Sequence, residues 1–118
     1  MADYGHVTAW SGIRTGREKQ ALGVWADAVD FYEKCKANSL IEDYDVQIFQ
    51  SSGGALPNGI ITVWCSEEQL NAYDWSDDRM ALSTRASLVL DGYVESRCVR
   101  GAAMLEGIGT FSAAVDSL

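Results

Sequence analysis

The sequence predicts an α+β fold in which helices cover one face of a four-stranded antiparallel sheet. The period of the apolar residues switches between two and about 3.6 in the order strand, helix, strand, strand, helix, strand. A connection rich in glycine and serine joins the two middle strands, as in a hairpin. This order is the split β-α-β arrangement, in which both crossover connections are right-handed and the expected strand order is 4-1-3-2.

The first strand and the first helix are predicted from a change of period near Gly12. The run HVTAWSGI, residues 6–13, is β-branched and aromatic, which is typical of a strand. Thr15 and Glu18 have the spacing of a capping box, so the following helix should begin near Thr15. The buried face of this helix is predicted from residues three and four apart, which are Leu22, Trp25, Val29, Tyr32 and Cys35.

Residues 44–50 and 59–65 alternate with period two and are predicted to be two paired strands. The intervening SSGGALPN contains Gly53, Gly54 and Asn58, residue types that favour tight turns. A phosphate-binding loop needs glycines between a strand and the start of a helix, whereas these glycines lead into a strand. We therefore predict a plain hairpin, with a flap that closes over a ligand as the alternative.

The second helical region is predicted in two pieces. Ser66 and Gln69 have the capping-box spacing, and Ser76 before two aspartates resembles a second N-cap. Helices are therefore expected over 67–74 and 77–90.

The last predicted strand is YVESRCVR, residues 93–100, which follows the helix-ending pair Asp91 and Gly92. The remaining residues are rich in glycine and alanine, and their apolar periodicity is weak. The chain is thus divided into a domain of residues 1–101 and a C-terminal extension of residues 102–118.

Composition and charge narrow the class of function. Seventeen acidic and nine basic residues give a net charge of −8, which repels nucleic acid and anionic membranes. We expect a soluble cytoplasmic protein with neither partner, because no basic segment precedes an apolar run and no run of about 18 apolar residues occurs. Cys35, Cys65 and Cys98 are odd in number and far apart, which predicts buried thiols and no disulfide or zinc knuckle.

The core from His6 to Gly101 resembles the ferredoxin-like fold, and more narrowly the dimeric α/β-barrel superfamily of small bacterial proteins. The similar features are the long first helix, the interrupted second helix and the hairpin between the middle strands. The resemblance implies that a second copy covers the open sheet face and closes a barrel. Members include cofactor-free monooxygenases, lactone isomerases, haem-dependent enzymes and small-molecule-binding regulators, but no family-wide catalytic motif matches this sequence residue by residue.

Alternation along the four strands predicts two faces of different character. We expect the helices to cover Val7, Ala9, Ser11, Tyr44, Val46, Ile48, Ile61, Val63, Cys65, Val94, Ser96 and Cys98. The opposite face would then carry His6, Thr8, Trp10, Asp45, Gln47, Phe49, Ile60, Thr62, Trp64, Tyr93, Glu95 and Arg97. Its large aromatic residues should not remain in water, which predicts a homodimer through this face.

The same open face supplies the candidate ligand-binding residues, which are Trp10, Phe49, Trp64, Tyr93 and Arg97. Aromatic residues that only pack a dimer interface, with Glu95 and Arg97 paired across it, are the alternative. Arg14 and Arg17 at the start of the first helix are a weaker candidate, for an anion, because Glu18 lies beside them.

His6 and Glu95 are the candidate catalytic residues. His6 is the only histidine, and it could act as a general base that Glu95 orients. A single histidine argues against a haem or tri-histidine metal site, so we expect no metal and no cofactor. The leading hypothesis is a homodimer that binds a small apolar or aromatic molecule between the two sheets. The alternatives are a cofactor-independent monooxygenase or isomerase, and a structural module without a ligand.

Overall fold

The secondary structure contains the predicted elements with two short strands and a C-terminal helix added. The computed structural model describes residues 2–50 and 56–118, so Gly53 and Gly54 of the predicted hairpin lie outside the described residues. The elements in chain order are β1 (Tyr4–Trp10), β2 (Gly12–Ile13), α1 (Glu18–Ala37), β3 (Asp43–Ile48), β4 (Gly59–Cys65), α2 (Glu67–Asp74), α3 (Asp77–Val89), β5 (Leu90–Asp91), β6 (Val94–Val99) and α4 (Gly101–Asp116).

The four long strands form one antiparallel sheet with the order β3-β4-β1-β6. Counted along the chain, these strands are the second, third, first and fourth. In the register, His6 of β1 lies opposite Val63 of β4 on one side and Arg97 of β6 on the other. Directly opposed residues share a face of the sheet, so this register decides which side chains meet the helices.

The helices α1, α2 and α3 pack on one face of this sheet and enclose the core. Val63, Cys65, Leu70 and Tyr73 are among its most buried residues, each at most 2% exposed. The alternating burial of β4 reflects this one-sided cover, since every second residue from Gly59 to Cys65 is buried. The strand is therefore apolar on the helix side and partly exposed on the other.

The predicted start of α1 was wrong. The helix begins at Glu18 after Arg17, and no side chain caps its first turn. Glu18 instead accepts a hydrogen bond from the backbone N–H of Gly16, at 3.3 Å, so Thr15 and Glu18 form no capping box. Gly16 has a φ of +85°, a value that glycine adopts without strain, and this turn delays the helix.

The buried face of α1 is rotated relative to the prediction. Its buried residues are Ala21, Val24, Ala28, Tyr32 and Cys35, whereas Leu22 is 69% exposed. Small residues on α1 let it approach α3 closely, because Ala21 and Val24 form a cluster with residues of that helix. The prediction is confirmed for Tyr32 and Cys35, whereas Leu22 and Trp25 lie at the edge of the contact.

Both predicted caps of the second helical region are confirmed. The Ser66 hydroxyl accepts a hydrogen bond from the backbone N–H of Gln69 at 3.1 Å, and the Gln69 side chain accepts one from the backbone of Ser66 at 2.8 Å. Ser76 caps α3 by accepting from the backbone N–H of Arg79. These caps explain why one helical region is divided into two helices at Trp75.

The prediction of which face the helices cover was correct for β3 and β4 and wrong for β1 and β6. His6, Thr8 and Trp10 are buried, and they share the helix side with Ile61 and Val63. In β1 and β6 the polar residues His6, Thr8, Glu95 and Arg97 lie on the covered face, so the apolar side of the alternation does not identify the inner face. Polar residues of β1 and β6 are tolerated under the helices because α2 and α3 supply their hydrogen-bonding partners.

The C-terminal residues that were predicted as an extension of weak periodicity form the 16-residue helix α4. None of its residues is buried, although many are apolar. In the part of the chain that the structure describes, neither α4 nor another helix is long and apolar enough to cross a bilayer.

Candidate functional site

A cavity of about 290 Å³ lies between the sheet and the helices α1 and α3. It is therefore enclosed by elements of a single chain and is not the predicted space between two sheets. The residues that line it are Thr8, Trp10, Ile13, Ala21, Leu22, Val24, Trp25, Ala28, Tyr32, Ile48, Asn58, Ile61, Tyr73, Arg79, Leu82, Ser83, Ala86, Val89, Leu90, Tyr93 and Glu95.

The wall of the cavity is apolar and its mouth is exposed. Eleven of the 21 lining residues are alanine, valine, leucine or isoleucine, and most of these eleven come from α1 and α3. Ile13, Leu22 and Ile48 are 44–69% exposed, which marks the side on which the cavity opens to solvent. Apolar walls with a few polar groups are typical of sites for small organic molecules.

Two indole rings line one side of the cavity. Trp10 and Trp25 meet edge to face, with ring centroids 6.3 Å apart. The Trp10 indole N–H donates to the side-chain oxygen of Asn58 at 3.1 Å, which satisfies its only polar group. Gly59 leaves room for this ring, because an added Cβ at Gly59 would collide with it. Trp10 is thereby held in one orientation.

Glu95 is the carboxylate of the cavity, and its oxygen Oε1 receives several contacts. The Ser83 hydroxyl donates to this oxygen at 2.8 Å, and the Arg79 guanidinium does so at 3.1 Å. Arg79 is held in turn by hydrogen bonds from its Nε and Nη2 atoms to the backbone oxygen of Asp74. Within the described residues, no protein group donates to the other oxygen, Oε2. That oxygen can accept from a ligand.

His6 lies behind Glu95 and does not line the cavity. Its Nε2 atom is 3.3 Å from Oε1 of Glu95, so the structure brings the two predicted catalytic residues together. Burial lowers the pKa of His6 below 6.5, and the nearby carboxylates of Glu95 and Asp74 oppose this shift only partly. A lowered pKa favours the neutral imidazole, which contacts the Glu95 carboxylate at this distance.

Three tyrosines complete the interior of the site. Burial raises the pKa of Tyr32, of Tyr73 and of Tyr93, so each remains a neutral phenol. Tyr93, Ser83 and Thr8 line the cavity together with Glu95. The polar part of the lining therefore combines hydroxyl groups with one carboxylate.

The predicted ligand-binding residues divide between the two sides of the sheet. Trp10 and Tyr93 line the cavity. Arg97 lies on the same side but contacts α2, donating to Asp74 at 2.6 Å and to Asn71 at 2.7 Å. The predicted pairing of Glu95 with Arg97 is therefore wrong.

Trp64 and Phe49 are outside the cavity. The Trp64 ring lies on the open face, where the guanidinium carbon of Arg100 is 3.9 Å from its centroid. Its indole N–H donates to Asp45 at 3.3 Å. The prediction that one face carries all seven site residues is therefore wrong.

Sequence reasoning missed Arg79 and Ser83, which hold Glu95. These residues and Ala86 are four and three positions apart, so they share one face of α3. The face of α3 that carries them mixes polar and apolar residues, so apolar periodicity does not single it out. Arg79 also stands in the first turn of α3, where a positive charge is unfavourable unless it has a partner.

Among the described residues, no group of three histidine, cysteine, aspartate or glutamate side chains could hold a metal ion. Cys35 and Cys65 are buried, Cys98 is half-buried, and all three are free. Burial raises the pKa of Cys35 and of Cys65 to about 11, so both are unreactive thiols at neutral pH.

Neither a protein-family model nor a curated protein sequence matches the chain. Solved structures do match. A DABB family protein with a ferredoxin-like fold from Mesorhizobium loti superposes with a TM-score of 0.65 at 10% identity, over 86% of this chain and 100% of that one. The chain has the ferredoxin-like fold.

Two further solved structures are similar to this chain. A dimeric ferredoxin-like protein of unknown function from Thermobifida fusca has a TM-score of 0.60 at 14% identity, over 84% of this chain and 92% of that one. SnoaB, a cofactor-independent oxygenase from Streptomyces nogalater, has a TM-score of 0.56 at 9% identity, over 86% of this chain and 95% of that one. At such identities these likenesses establish the ferredoxin-like fold and no activity.

Proposed function

We propose that this ferredoxin-like protein binds a small, largely apolar molecule that carries one hydrogen-bond donor. The observation that supports this most directly is that Glu95, whose side chain is 25% exposed, is the one carboxylate among the described residues that line a mainly apolar cavity. Arg79 and Ser83 fix one carboxylate oxygen and leave the other available.

The shape and lining of the cavity favour an aromatic body for this molecule. A volume of about 290 Å³ is near the lower end of the range for ligand pockets, about 300–1,000 Å³. Indole and phenol rings line it, and they offer faces and edges against which another ring can pack. A molecule of one or two fused rings fits these dimensions.

The Glu95 carboxylate favours a ligand whose hydrogen-bond donor is a hydroxyl group. Glu95 can only accept hydrogen bonds when ionised, and a ligand that lacks a donor would leave Oε2 buried without a partner. A hydrogen bond to a charged group contributes about 1.5–3 kcal/mol, which corresponds to about 10- to 150-fold in affinity. The carboxylate therefore selects for a donor.

The assembly that we propose is a homodimer through the open face of the sheet. The helix-free side carries Val7, Ala9, Ile60 and Val94, and Val94 is 60% exposed. Some of the solved structures with this fold are described as dimeric. An apolar sheet face of this kind is unfavourable in water, and a second copy would cover it.

The experiment compares two probes, 2-naphthol and 2-methoxynaphthalene, in the second of which a methyl group replaces the hydroxyl hydrogen. We expect 2-naphthol to raise the melting temperature more, in proportion to ln(1 + [L]/Kd), and titration to give an affinity about tenfold or more higher. Glu95→Gln should remove most of this preference. The control is Glu68→Gln, which neutralises an exposed glutamate at the start of α2 and should leave the preference unchanged.

Equal affinity of the two probes, or an unchanged preference in Glu95→Gln, would contradict the assigned role of Glu95. The same titration tests the second candidate function, a cofactor-independent enzyme, which the position of Glu95 in the cavity favours. A carboxylate with one open oxygen can remove a proton from a bound phenol. Absorbance of the naphtholate anion in the bound state, lost in Glu95→Gln, would support this function.

A further inference from the structure

Helix α4 carries an apolar stripe, and none of its residues is buried by the part of the chain that the structure describes. Met104, Ile108, Phe111 and Val115 recur at spacings of four, three and four, so they lie along one side of the helix. Phe111 is 70% exposed and Ile108 is 55% exposed. The opposite side carries Glu106 and Ala113, which gives the helix two distinct faces.

This sequence is unfavourable for a helix that has no packing partner. Isolated helices of about 12–15 residues are marginal in water even when they are rich in alanine. Gly107 and Gly109 lie in the middle of α4 and lower its helix propensity further. The helix therefore needs burial of its apolar stripe to be stable.

The start of α4 is held by hydrogen bonds to Asp3, so the helix projects in a defined direction. Gly101 has a φ of +57°, and the Asp3 carboxylate accepts a hydrogen bond from the backbone N–H of Ala102 at 3.2 Å. The backbone N–H of Arg100 donates to the carbonyl of Asp3 at 2.8 Å. These contacts tie the start of α4 to the start of β1, at the edge of the open sheet face.

The dimensions of the chain agree with a projecting arm. The radius of gyration is 16.1 Å, whereas a compact domain of this length has about 13.5 Å. The longest dimension is 52 Å. The three solved structures described above are covered to 92–100% but cover only 84–86% of this chain, so about one seventh of this chain has no counterpart in them.

We propose that α4 is an arm that packs its apolar stripe against a second copy of this chain. The inference rests on the proposed homodimer and extends its interface beyond the sheet. Six large apolar side chains between Met104 and Leu118 each leave on the order of 100 Å² exposed. Together with the open sheet face, they supply the about 800 Å² that each partner buries in an interface of standard size.

A twofold axis makes this exchange reciprocal, because the arm of each copy can reach the other in the same way. The open face and the start of α4 are adjacent. The open face includes β1 and β6, and α4 begins directly after β6 and is hydrogen-bonded to Asp3, next to β1. One continuous surface therefore includes the sheet and the arm. The acidic residues Glu106 and Asp116 lie off the stripe and remain in water.

The test is sedimentation equilibrium of full-length variants that carry one new charge on α4. Phe111→Glu places a carboxylate on the stripe, and Ala113→Glu places one on the opposite side as the matched control. We expect Phe111→Glu to weaken dimerisation by about 100-fold or more, because the change occurs twice in a twofold dimer. Ala113→Glu should change the dissociation constant by less than about threefold. Equal effects of the two variants would overturn the proposal.

A third variant, Val94→Glu, separates this inference from the proposed sheet interface. If Val94→Glu abolishes the dimer and Phe111→Glu does not, the sheet contact stands and the arm is overturned. If only Phe111→Glu abolishes it, the arm stands and the sheet contact fails. A monomeric wild-type chain would overturn both the arm and the sheet contact. In that case, binding of the wild-type chain to phosphatidylcholine vesicles, with loss of that binding in Phe111→Glu, would assign the stripe to a lipid surface.

Discussion

The two faces of the central sheet differ in what holds their polar groups. On the face under the helices, Glu95 is tied to α3, His6 contacts Glu95, and Arg97 is tied to α2. On the open face, the partners of Trp64 among the described residues are Asp45 and Arg100, which lie on the sheet and at its end. In β6 the charged residues thus lie on the covered face, since the helices above it provide partners.

In β6 the charged residues lie on the covered face and the apolar Val94 on the exposed face, which is the reverse of the usual arrangement. A strand with an apolar and a polar side normally turns its apolar side inward. In β6 the inward residues are Glu95 and Arg97, and the outward Val94 is 60% exposed. Burying a charge is costly unless it is paired, and Asp74 and Arg79 supply the pairs.

The largest expected effect comes from comparing a charge placed on the covered face with a charge placed on the open face, at neighbouring positions of β4. Val63→Asp puts a carboxylate under the helices, where Val63 is 1% exposed, and should lower the free energy of unfolding by about 3–5 kcal/mol or prevent folding. Thr62→Asp puts the same group on the open face and should cost less than about 1 kcal/mol in the monomer. Urea denaturation measures both. Equal losses would mean that the two faces are equally covered.

A smaller effect is expected from Arg97→Ala, which removes the link between β6 and α2. The Oδ1 atom of Asp74 is buried without a partner, and this change would remove the partner of Oδ2 as well. Because the Arg97 side chain is 48% exposed, solvent weakens the pair, and we expect a loss of about 1–2 kcal/mol in stability.

The control for Arg97→Ala is Arg14→Ala, which breaks an exposed pair with Asp91 and should cost less than about 1 kcal/mol. Sedimentation sharpens the comparison of faces further. If Arg97→Ala weakened dimerisation without changing the stability of the monomer, Arg97 would belong to the open face.

The smallest expected effect is a pH dependence that arises from His6 on the covered face. Its pKa is lowered below 6.5 by burial, so the folded chain binds fewer protons than the unfolded chain just below that pH. Stability present above pH 6.5 is therefore lost as the pH falls toward the folded-state pKa of His6, at no more than about 1.4 kcal/mol per pH unit.

His6→Asn should flatten the stability profile between pH 7 and the onset of carboxylate titration. Urea denaturation at several pH values measures this, and no other histidine titrates in the same range. The charged groups that act on His6 are Glu95, Asp74, Arg79 and Arg97. An identical pH profile in the variant would show that His6 is not buried in its neutral form.

The fold was largely predictable from local signals, whereas the site was not. The period changes and the Ser66 and Ser76 caps gave the order of the elements and the division between α2 and α3. The inner faces of β1 and β6 depend on cross-strand register, which local alternation does not contain. Tyr93 and Trp10 were identified as site residues, but Arg79 reaches Glu95 only through the packing of α3 on β6.

The cavity is walled by α1, α3 and the sheet of one chain, so occupancy and assembly are separable properties. A dimer would hold two complete cavities on its outer sides, with a stoichiometry of one molecule per chain. A monomer would retain the same cavity. Loss of the partner therefore need not abolish ligand capture, and the two cavities of a pair have no structural reason to communicate.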